Sequence, residues 1–276
     1  MSMQARDQPA YDADFLRAQS GGLSSARKVL SYLFEHYRPA SVVDVGCGIG
    51  AWPAAARELG TDEIFGIDGA YVDPGLLIIP KERFIAADLE QPLDVRVEAE
   101  LCICLEVGEH LSAARAASLV GDLTSLAPVV LFGAAIPGVG GVHHVNLQWP
   151  SFWMDLFAQH GYVAVDCLRI PFWDDPDVAW CYAQHTLLYC DRARTDVLQL
   201  LSTMPQVDPP GLPLVHPGLY GIYLYELEYG SAPSQFRRFR RALERAIGKR
   251  VGLGRRWPGP PPTPEWRTRA GNDHHG

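Results

Sequence analysis

No apolar run in the 276-residue chain approaches the ~18 residues that a membrane-spanning helix needs. The opening residues, Met-Ser-Met-Gln-Ala-Arg-Asp, lack the apolar core of a secretory signal. The six cysteines (Cys47, Cys102, Cys104, Cys167, Cys181 and Cys190) include no Cys-x-x-Cys pair and are scattered through strand-like segments. They indicate neither a zinc site nor a disulfide framework, and read as small buried apolar groups. No internal repeat is visible. A cytoplasmic location is the expectation. Positive charge is scarce where nucleic acid would need it. The net charge is −8, yet residues 231–276 hold eleven Lys and Arg against three Asp and Glu, a net of +8, which leaves −16 on the other 230 residues. An acidic body disfavours nucleic acid, while the basic tail suits a membrane surface or an acidic partner.

What the chain does have begins at Val42-Val43-Asp44-Val45-Gly46-Cys47-Gly48-Ile49-Gly50. Two β-branched residues run into an acid, then three glycines follow at alternate positions. The pattern predicts a buried strand ending in a tight turn that opens a helix, where a ligand can approach the backbone and meet free N–H groups. Gly46-x-Gly48-x-x-Ala51, with Asp68 about 20 residues on, also satisfies the dinucleotide fingerprint. The loop alone leaves a nicotinamide or flavin cofactor and S-adenosylmethionine both open.

With 47% hydrophobic residues the chain can build one large α/β domain. A short helix is expected over 11–20, broken by Gly21-Gly22. A second runs from a cap at Ser24 or Ser25 to about Tyr37. Strands are expected at 41–45, 64–68, 83–88, 101–105, 129–136, 162–168 and 184–190, with helices near 51–59, 112–123 and 150–160. Short apolar strands alternating with helices predict a mostly parallel sheet with helices on both faces. Between Pro171 and Ala183 no helical pattern is seen, so the last two strands are expected to pair antiparallel. Residues 205–217 are Pro-rich and irregular. Phe236, Phe239, Leu243 and Ile247, interleaved with arginines, mark an amphipathic basic helix, and 258–264 reads as disordered.

Ligands of open α/β sheets bind at the carboxyl ends of strands. Acids stand there in order. Asp68 can accept from ribose hydroxyls, Asp88 from an adenine amino group, and Glu106 ends the fourth strand. A nicotinamide enzyme needs no acid at the third strand, so a ligand with a ribose and a free adenine edge fits better.

Taken together, Asp44-x-Gly46-x-Gly48-x-Gly50, Gly66-Ile-Asp68-Gly69, Ala86-Ala87-Asp88-Leu89 and Leu105-Glu106-Val107-Gly108-Glu109-His110-Leu111 resemble the class I S-adenosylmethionine-dependent methyltransferases. Ala135–Gly138, His144–Trp153 and Leu187–Tyr189 are similar to segments of a bacterial subfamily, and the likeness spans roughly residues 11–220. It implies a Rossmann-like fold with a seven-stranded sheet and an antiparallel final strand pair. It also implies that Gly46, Cys47 and Gly48 hold the methionine part of the cofactor, with Asp44 anchoring the loop or the amino group. Asp68 and Gly69 would meet the ribose, Asp88 and Leu89 the adenine, and Glu106 would lie beside the cofactor. Tyr11, Phe15 and Gln19 would form a lid. In the acceptor half the chain departs from the family pattern. Gly108 replaces Ala, Leu147 stands in place of an acid, and Cys181-Tyr-Ala-Gln-His185 replaces a bulkier segment.

Glu106-x-x-Glu109-His110 has related patterns that bind a divalent ion in other methyltransferases. Glu106, Glu109 and His110, with His143 or His144 from the loop after the fifth strand, are therefore candidate ligands for Mg²⁺ or another divalent cation. Such an ion would lower the pKa of an acceptor hydroxyl. Two plainer readings stay open. His110 or His144, with Glu109 beside them, can serve as a metal-free base, or His110 can cap a helix start. Trp149, Trp153, Phe172-Trp173 and Trp180 suit either a sugar or aromatic acceptor or the core.

The expected organisation is N-terminal helices or lid over 1–40, a methyltransferase domain over 41–230, and a basic tail over 231–276. The expected activity is methyl transfer to a hydroxyl of a small molecule or sugar, with an amino group as a further option, and a homodimer is compatible. The rival readings are a metal-dependent RNA methyltransferase and a non-catalytic S-adenosylmethionine-binding partner protein.

Overall fold

The structure is a computed structural model that describes residues 21–221. The expected lid residues Tyr11, Phe15 and Gln19, and the basic amphipathic helix and tail, lie outside the described residues. Within them, the sheet has seven strands: β1 (Ser41–Val45), β2 (Glu63–Asp68), β3 (Phe84–Ala86), β4 (Leu101–Leu105), β5 (Val129–Gly133), β6 (Tyr162–Val165) and β7 (Leu187–Asp191). Their order is β3-β2-β1-β4-β5-β7-β6. The first five strands run parallel, and β7 is antiparallel to both β5 and β6. The chain leaves β1 toward β2 on one side and later returns to β4 on the other, so the sheet has its switch point between the carboxyl ends of β1 and β4.

Alternate residues of each inner strand feed two separate cores. Leu101, Ile103 and Leu105 of β4 join Val42 of β1 and Leu131 of β5 beneath α1 (Gly21–Phe34) and α2 (Ala51–Glu58). Cys102 and Cys104 face the other way, with Val43, Val45, Val130 and Phe132, beneath α3 (Ala116–Leu126) and α4 (Pro150–Gln159). Both faces are covered, which is why the inner strands read as continuous apolar runs. All six cysteines are free, and all but Cys181 are buried.

Several local expectations need correction. Gly21-Gly22 are helical, the first described residues of α1, and the helix expected over 11–20 lies outside the described residues. A Cβ on Gly22 would sit 3.4 Å from the Tyr182 hydroxyl and 3.8 Å from Ala51, ordinary contact distances, so neither space nor backbone demands glycine there. Ser25 does not cap the helix, and its hydroxyl accepts the Ala179 N–H at 3.0 Å. The segment expected to be non-helical carries α5 (Arg169–Phe172) and α6 (Trp180–His185). Gln184 and His185 therefore lie in a helix, and the last strand starts at Leu187. The strand expected over 129–136 stops at Gly133, where the His185 backbone lies 3.1 Å from where a Cβ would stand. A further helix, α7 (Thr195–Leu201), follows β7 and was not anticipated.

Candidate active site

The carboxyl ends of β1, β2, β3 and β4 bring the predicted acids to one edge of the sheet. At the end of β1 the glycine turn takes left-handed backbone at Gly46 (φ 82°), Gly48 (φ 54°) and Gly50 (φ 91°). A Cβ on Gly46 would also lie 2.2 Å from Val107, so no side chain fits there. The Gly46 N–H donates to the Ile67 carbonyl at 2.8 Å, which ties the turn to β2. α2 then starts without a side-chain cap, leaving its first N–H groups available to an anion.

Asp44 is buried under this turn, and its Oδ2 makes no hydrogen bond among the described residues. Burial, and secondarily the Asp68 charge, push its pKa well above the usual carboxyl range. Cys47 is held as a thiol by burial first and by Asp44 and Asp68 next, so it is no nucleophile. Asp68 is buried and accepts the Gly48 N–H at 2.6 Å on Oδ2 and the Gly69 N–H at 2.6 Å on Oδ1. Oδ1 also accepts from the hydroxyl of Tyr71, whose ring lies over Gly69. A carboxylate offers about four acceptor positions, so most are engaged. Asp88 is exposed beyond β3, and its Oδ1 accepts the Glu90 N–H at 3.0 Å. Leu89 is buried, and its carbonyl accepts from Arg115 Nε at 2.8 Å.

The candidate metal or base residues divide into two sets. One ligand atom from each of Glu109, His110 and His144 lies within 4.8 Å of the others. Glu106 is outside that set and instead accepts from Nδ1 of His185 at 2.7 Å. Glu109 is fully buried and neither of its oxygens makes a hydrogen bond among the described residues. Burial first and the Glu106 charge second push its pKa up to about 9, against a smaller opposing pull from the nearby backbone of Glu109 and Ala135. His110 is pushed down by burial and then by His144, with Glu106 and the His143 backbone opposing. The two rings meet edge to face, centroids 4.8 Å apart. His144 directs Nδ1 at the Val139 carbonyl at 3.2 Å, which assigns the proton to Nδ1 and leaves Nε2 as the acceptor. His143 is exposed and points its backbone into left-handed space (φ 57°).

The raised pKa of Glu109 has a consequence for stability. Its folded value lies above the unfolded one, so its contribution is present at low pH and is lost as the pH rises from about 4.5 toward 9. In protein stripped of divalent ions, the melting temperature is expected to fall across that window, and Glu109→Gln to flatten the fall. An unchanged slope in the variant would contradict the assignment.

The loop from His143 to Trp153 splits between packing and surface. Asn146 is buried, donates to the Gly108 carbonyl at 3.2 Å and accepts from Gln148 at 3.0 Å, so both amides brace the loop. Trp153 is core and lies 2.9 Å from where a Gly108 Cβ would be, which explains glycine in place of alanine. Val142, Val145 and Trp149 remain exposed beside the histidines. Sequence reasoning missed His185, Gln184 and Tyr71. The only signal for the first two was a Gln-His pair just before the last strand, and taking them as strand hid it.

No protein-family model and no curated protein matches the sequence. Solved structures do. A sugar N-methyltransferase from Streptoalloteichus superposes with a TM-score of 0.54 over 70% of this chain and 97% of its own, at 14% identity. An amino pentose methyltransferase from Micromonospora echinaspora, solved with S-adenosylmethionine, gives 0.48 over 67% and 99%, at 14% identity. An O-methyltransferase family protein from Burkholderia thailandensis gives 0.48 at 13% identity over 65% of this chain, which spans 57% of that protein's length. Strand order, the antiparallel last strand and the likeness to the Streptoalloteichus enzyme together make this the Rossmann-like fold of class I methyltransferases.

Proposed function

We propose that the protein is an S-adenosylmethionine-dependent methyltransferase acting on a small molecule or sugar, with a hydroxyl as the favoured acceptor and an amino group as the alternative. The observation that carries this reading is the unpaired, buried Oδ2 of Asp44 beneath the glycine turn, beside Asp68. A cationic ligand relieves that burial cost, whereas a dinucleotide pyrophosphate would bring further negative charge to it. The Streptoalloteichus neighbour, a sugar N-methyltransferase, supports a sugar among the acceptors. The acidic body weighs against an RNA substrate.

When bound, S-adenosylmethionine supplies a methyl group already activated on a cationic sulfur. In this assignment Asp44 receives the amino group of its methionine part, and the turn at Gly46, Cys47 and Gly48 lines that part. Asp68 and Gly69 meet the ribose, with Tyr71 yielding one acceptor position on Asp68. Asp88 and the backbone at Leu89 hold the adenine edge. Glu109, His110 and His144, one carboxylate and two imidazoles, suit a divalent cation that accepts nitrogen ligands, such as Mn²⁺, Fe²⁺ or Zn²⁺, better than Mg²⁺: the buried carboxylate oxygens make no hydrogen bond within geometric limits among the described residues, and His144 keeps Nε2 for a ligand while Nδ1 donates to a carbonyl. Such an ion would polarise an acceptor oxygen. The exposed Val142, Val145 and Trp149 then offer an apolar wall for the acceptor.

The test is release of S-adenosylhomocysteine from the full chain with a panel of sugars, amino sugars and small phenols. Acceptor-dependent release supports the reading, and cofactor binding without release for any acceptor class supports the non-catalytic alternative. Calorimetry with Mn²⁺ checks the ion separately: binding by the wild type and its loss in Glu109→Gln are expected, and no heat with the wild type removes the metal.

A further inference from the structure

Glu106 and His143 are the two non-glycine residues with left-handed backbone among the described residues, and each has φ 57°. Such backbone is uncommon for a residue with a Cβ and persists where surrounding contacts enforce it. At Glu106 those contacts are visible. Its N–H donates to the Gly133 carbonyl at 2.8 Å, beyond the end of β4, and its Oε1 is held by His185 at 2.7 Å. The His185 side chain is 0% exposed, whereas Glu106 keeps 25% of its side chain exposed.

The protonation of His185 follows from its neighbours. The backbone N–H of His216 can only donate, and it meets Oε1 of Gln184 at 2.6 Å. The other end of that amide, Nε2, must therefore be the NH₂ group, and it lies 2.7 Å from Nε2 of His185. An NH₂ group donates, so His185 Nε2 is the acceptor and Nδ1 carries the proton given to Glu106. His216 is itself fixed, with Nε2 2.6 Å from the Trp173 carbonyl and Nδ1 accepting the Gly218 N–H at 3.0 Å. The chain His216, Gln184, His185, Glu106 thus runs in one direction and ends on a carboxylate. Both ring nitrogens of His185 are thereby engaged. Oε2 of Glu106 makes no hydrogen bond among the described residues. Glu106 directly follows β4, at the switch point of the sheet beside β1 and its glycine turn, and Glu109 and His110 follow three and four residues on.

We propose that Glu106 is the catalytic carboxylate that takes the acceptor's proton, and that His185 is a positioning residue that aims it. This rests on the methyl-transfer reading and assigns to Glu106 a role on the acceptor side. As the acceptor's oxygen or nitrogen bonds to the methyl carbon, the carbon–sulfur bond breaks and its electron pair stays on sulfur. The acceptor's proton passes to Oε2 of Glu106 and then to solvent. The products are the methylated acceptor, neutral S-adenosylhomocysteine and one proton.

The test uses the full chain. With ¹⁵N-labelled histidine, NMR is expected to show an imidazole protonated at Nδ1 and bare at Nε2 that disappears in His185→Asn. A His185 protonated at Nε2 overturns the proposal. Glu106→Gln is expected to bind S-adenosylmethionine within about threefold of the wild type, while kcat with an acceptor that the wild type methylates falls about 10²–10⁴-fold. His185→Leu should lower kcat by about tenfold or more with little change in acceptor KM, and His185→Asn, which keeps a donor toward Glu106, should recover most of the loss. Undiminished kcat in Glu106→Gln, or no advantage of Asn over Leu at 185, overturns the proposal while leaving methyl transfer intact. A wild-type protein that methylates nothing overturns the methyl-transfer reading, and this inference with it.

Discussion

Calorimetry on Asp68→Ala is expected to show affinity for S-adenosylmethionine reduced by about 10²–10⁴-fold. The two ribose hydroxyls would each lose a hydrogen bond to a buried carboxylate, worth roughly 1.5–3 kcal/mol apiece, and about 1.4 kcal/mol is a tenfold change in affinity. The carboxylate also receives the Gly48 N–H at 2.6 Å, so its loss loosens the turn as well. One effect opposes this. Asp68 helps to hold the pKa of Asp44 up, so removing it lets Asp44 ionise more readily toward a cationic ligand. Asp68 is buried and its loss also strands the Gly48 and Gly69 N–H groups, so circular dichroism on the variant accompanies the calorimetry to show that it is folded. Asp88→Ala, at an exposed position, should cost far less, about tenfold. Equal losses at both positions would contradict the division of labour between them.

The second large effect is on stability. Arg169 and Asp166 form an ion pair whose side chains are both fully buried. Arg169 Nε lies 2.9 and 3.0 Å from the two carboxylate oxygens, and Nη1 donates to the Leu212 carbonyl at 2.8 Å. Asp166 also receives the Gly211 N–H on its carboxylate and the Val207 N–H on its backbone carbonyl. The pair thus fastens the irregular segment after α7 to the end of β6. Arg169→Leu leaves a carboxylate buried without its cation, at a cost of about 3–5 kcal/mol. For a domain of this size the melting temperature should fall by roughly 6–20 °C. Proteolysis should then begin within 205–217. Adding Asp166→Leu to Arg169→Leu should recover part of the loss, because the orphaned charge is gone. A double variant less stable than the single one would show that the segment, and not the charge, dominates.

The difference between legible and hidden features has a physical cause. β1, its glycine turn and the acids at 68, 88 and 106 were readable because local requirements dictate them: β-branched residues in a buried strand, and glycine where φ is positive. Helices α2 and α4 were readable for the same reason. The segment 169–185 was not. Arg169 and His185 look like surface residues in one dimension, and their burial is completed by partners distant in sequence, Leu212 and Glu106, beside the local ones, Asp166 and Gln184. Gly21-Gly22 misled in the opposite direction: glycine lowers helix propensity, yet both residues are helical in α1. The cluster at Glu109, His110 and His144 was partly legible. Its spacing named the residues, but the sequence could not say that Glu106 would turn away to His185.

The central claim is that a sulfonium nucleoside occupies the edge formed by Asp44, Asp68 and Asp88. Titration calorimetry of the purified full chain with S-adenosylmethionine, S-adenosylhomocysteine and NAD tests it most directly. A saturable isotherm with the first two and none with NAD is predicted. Heat with NAD alone would contradict the account.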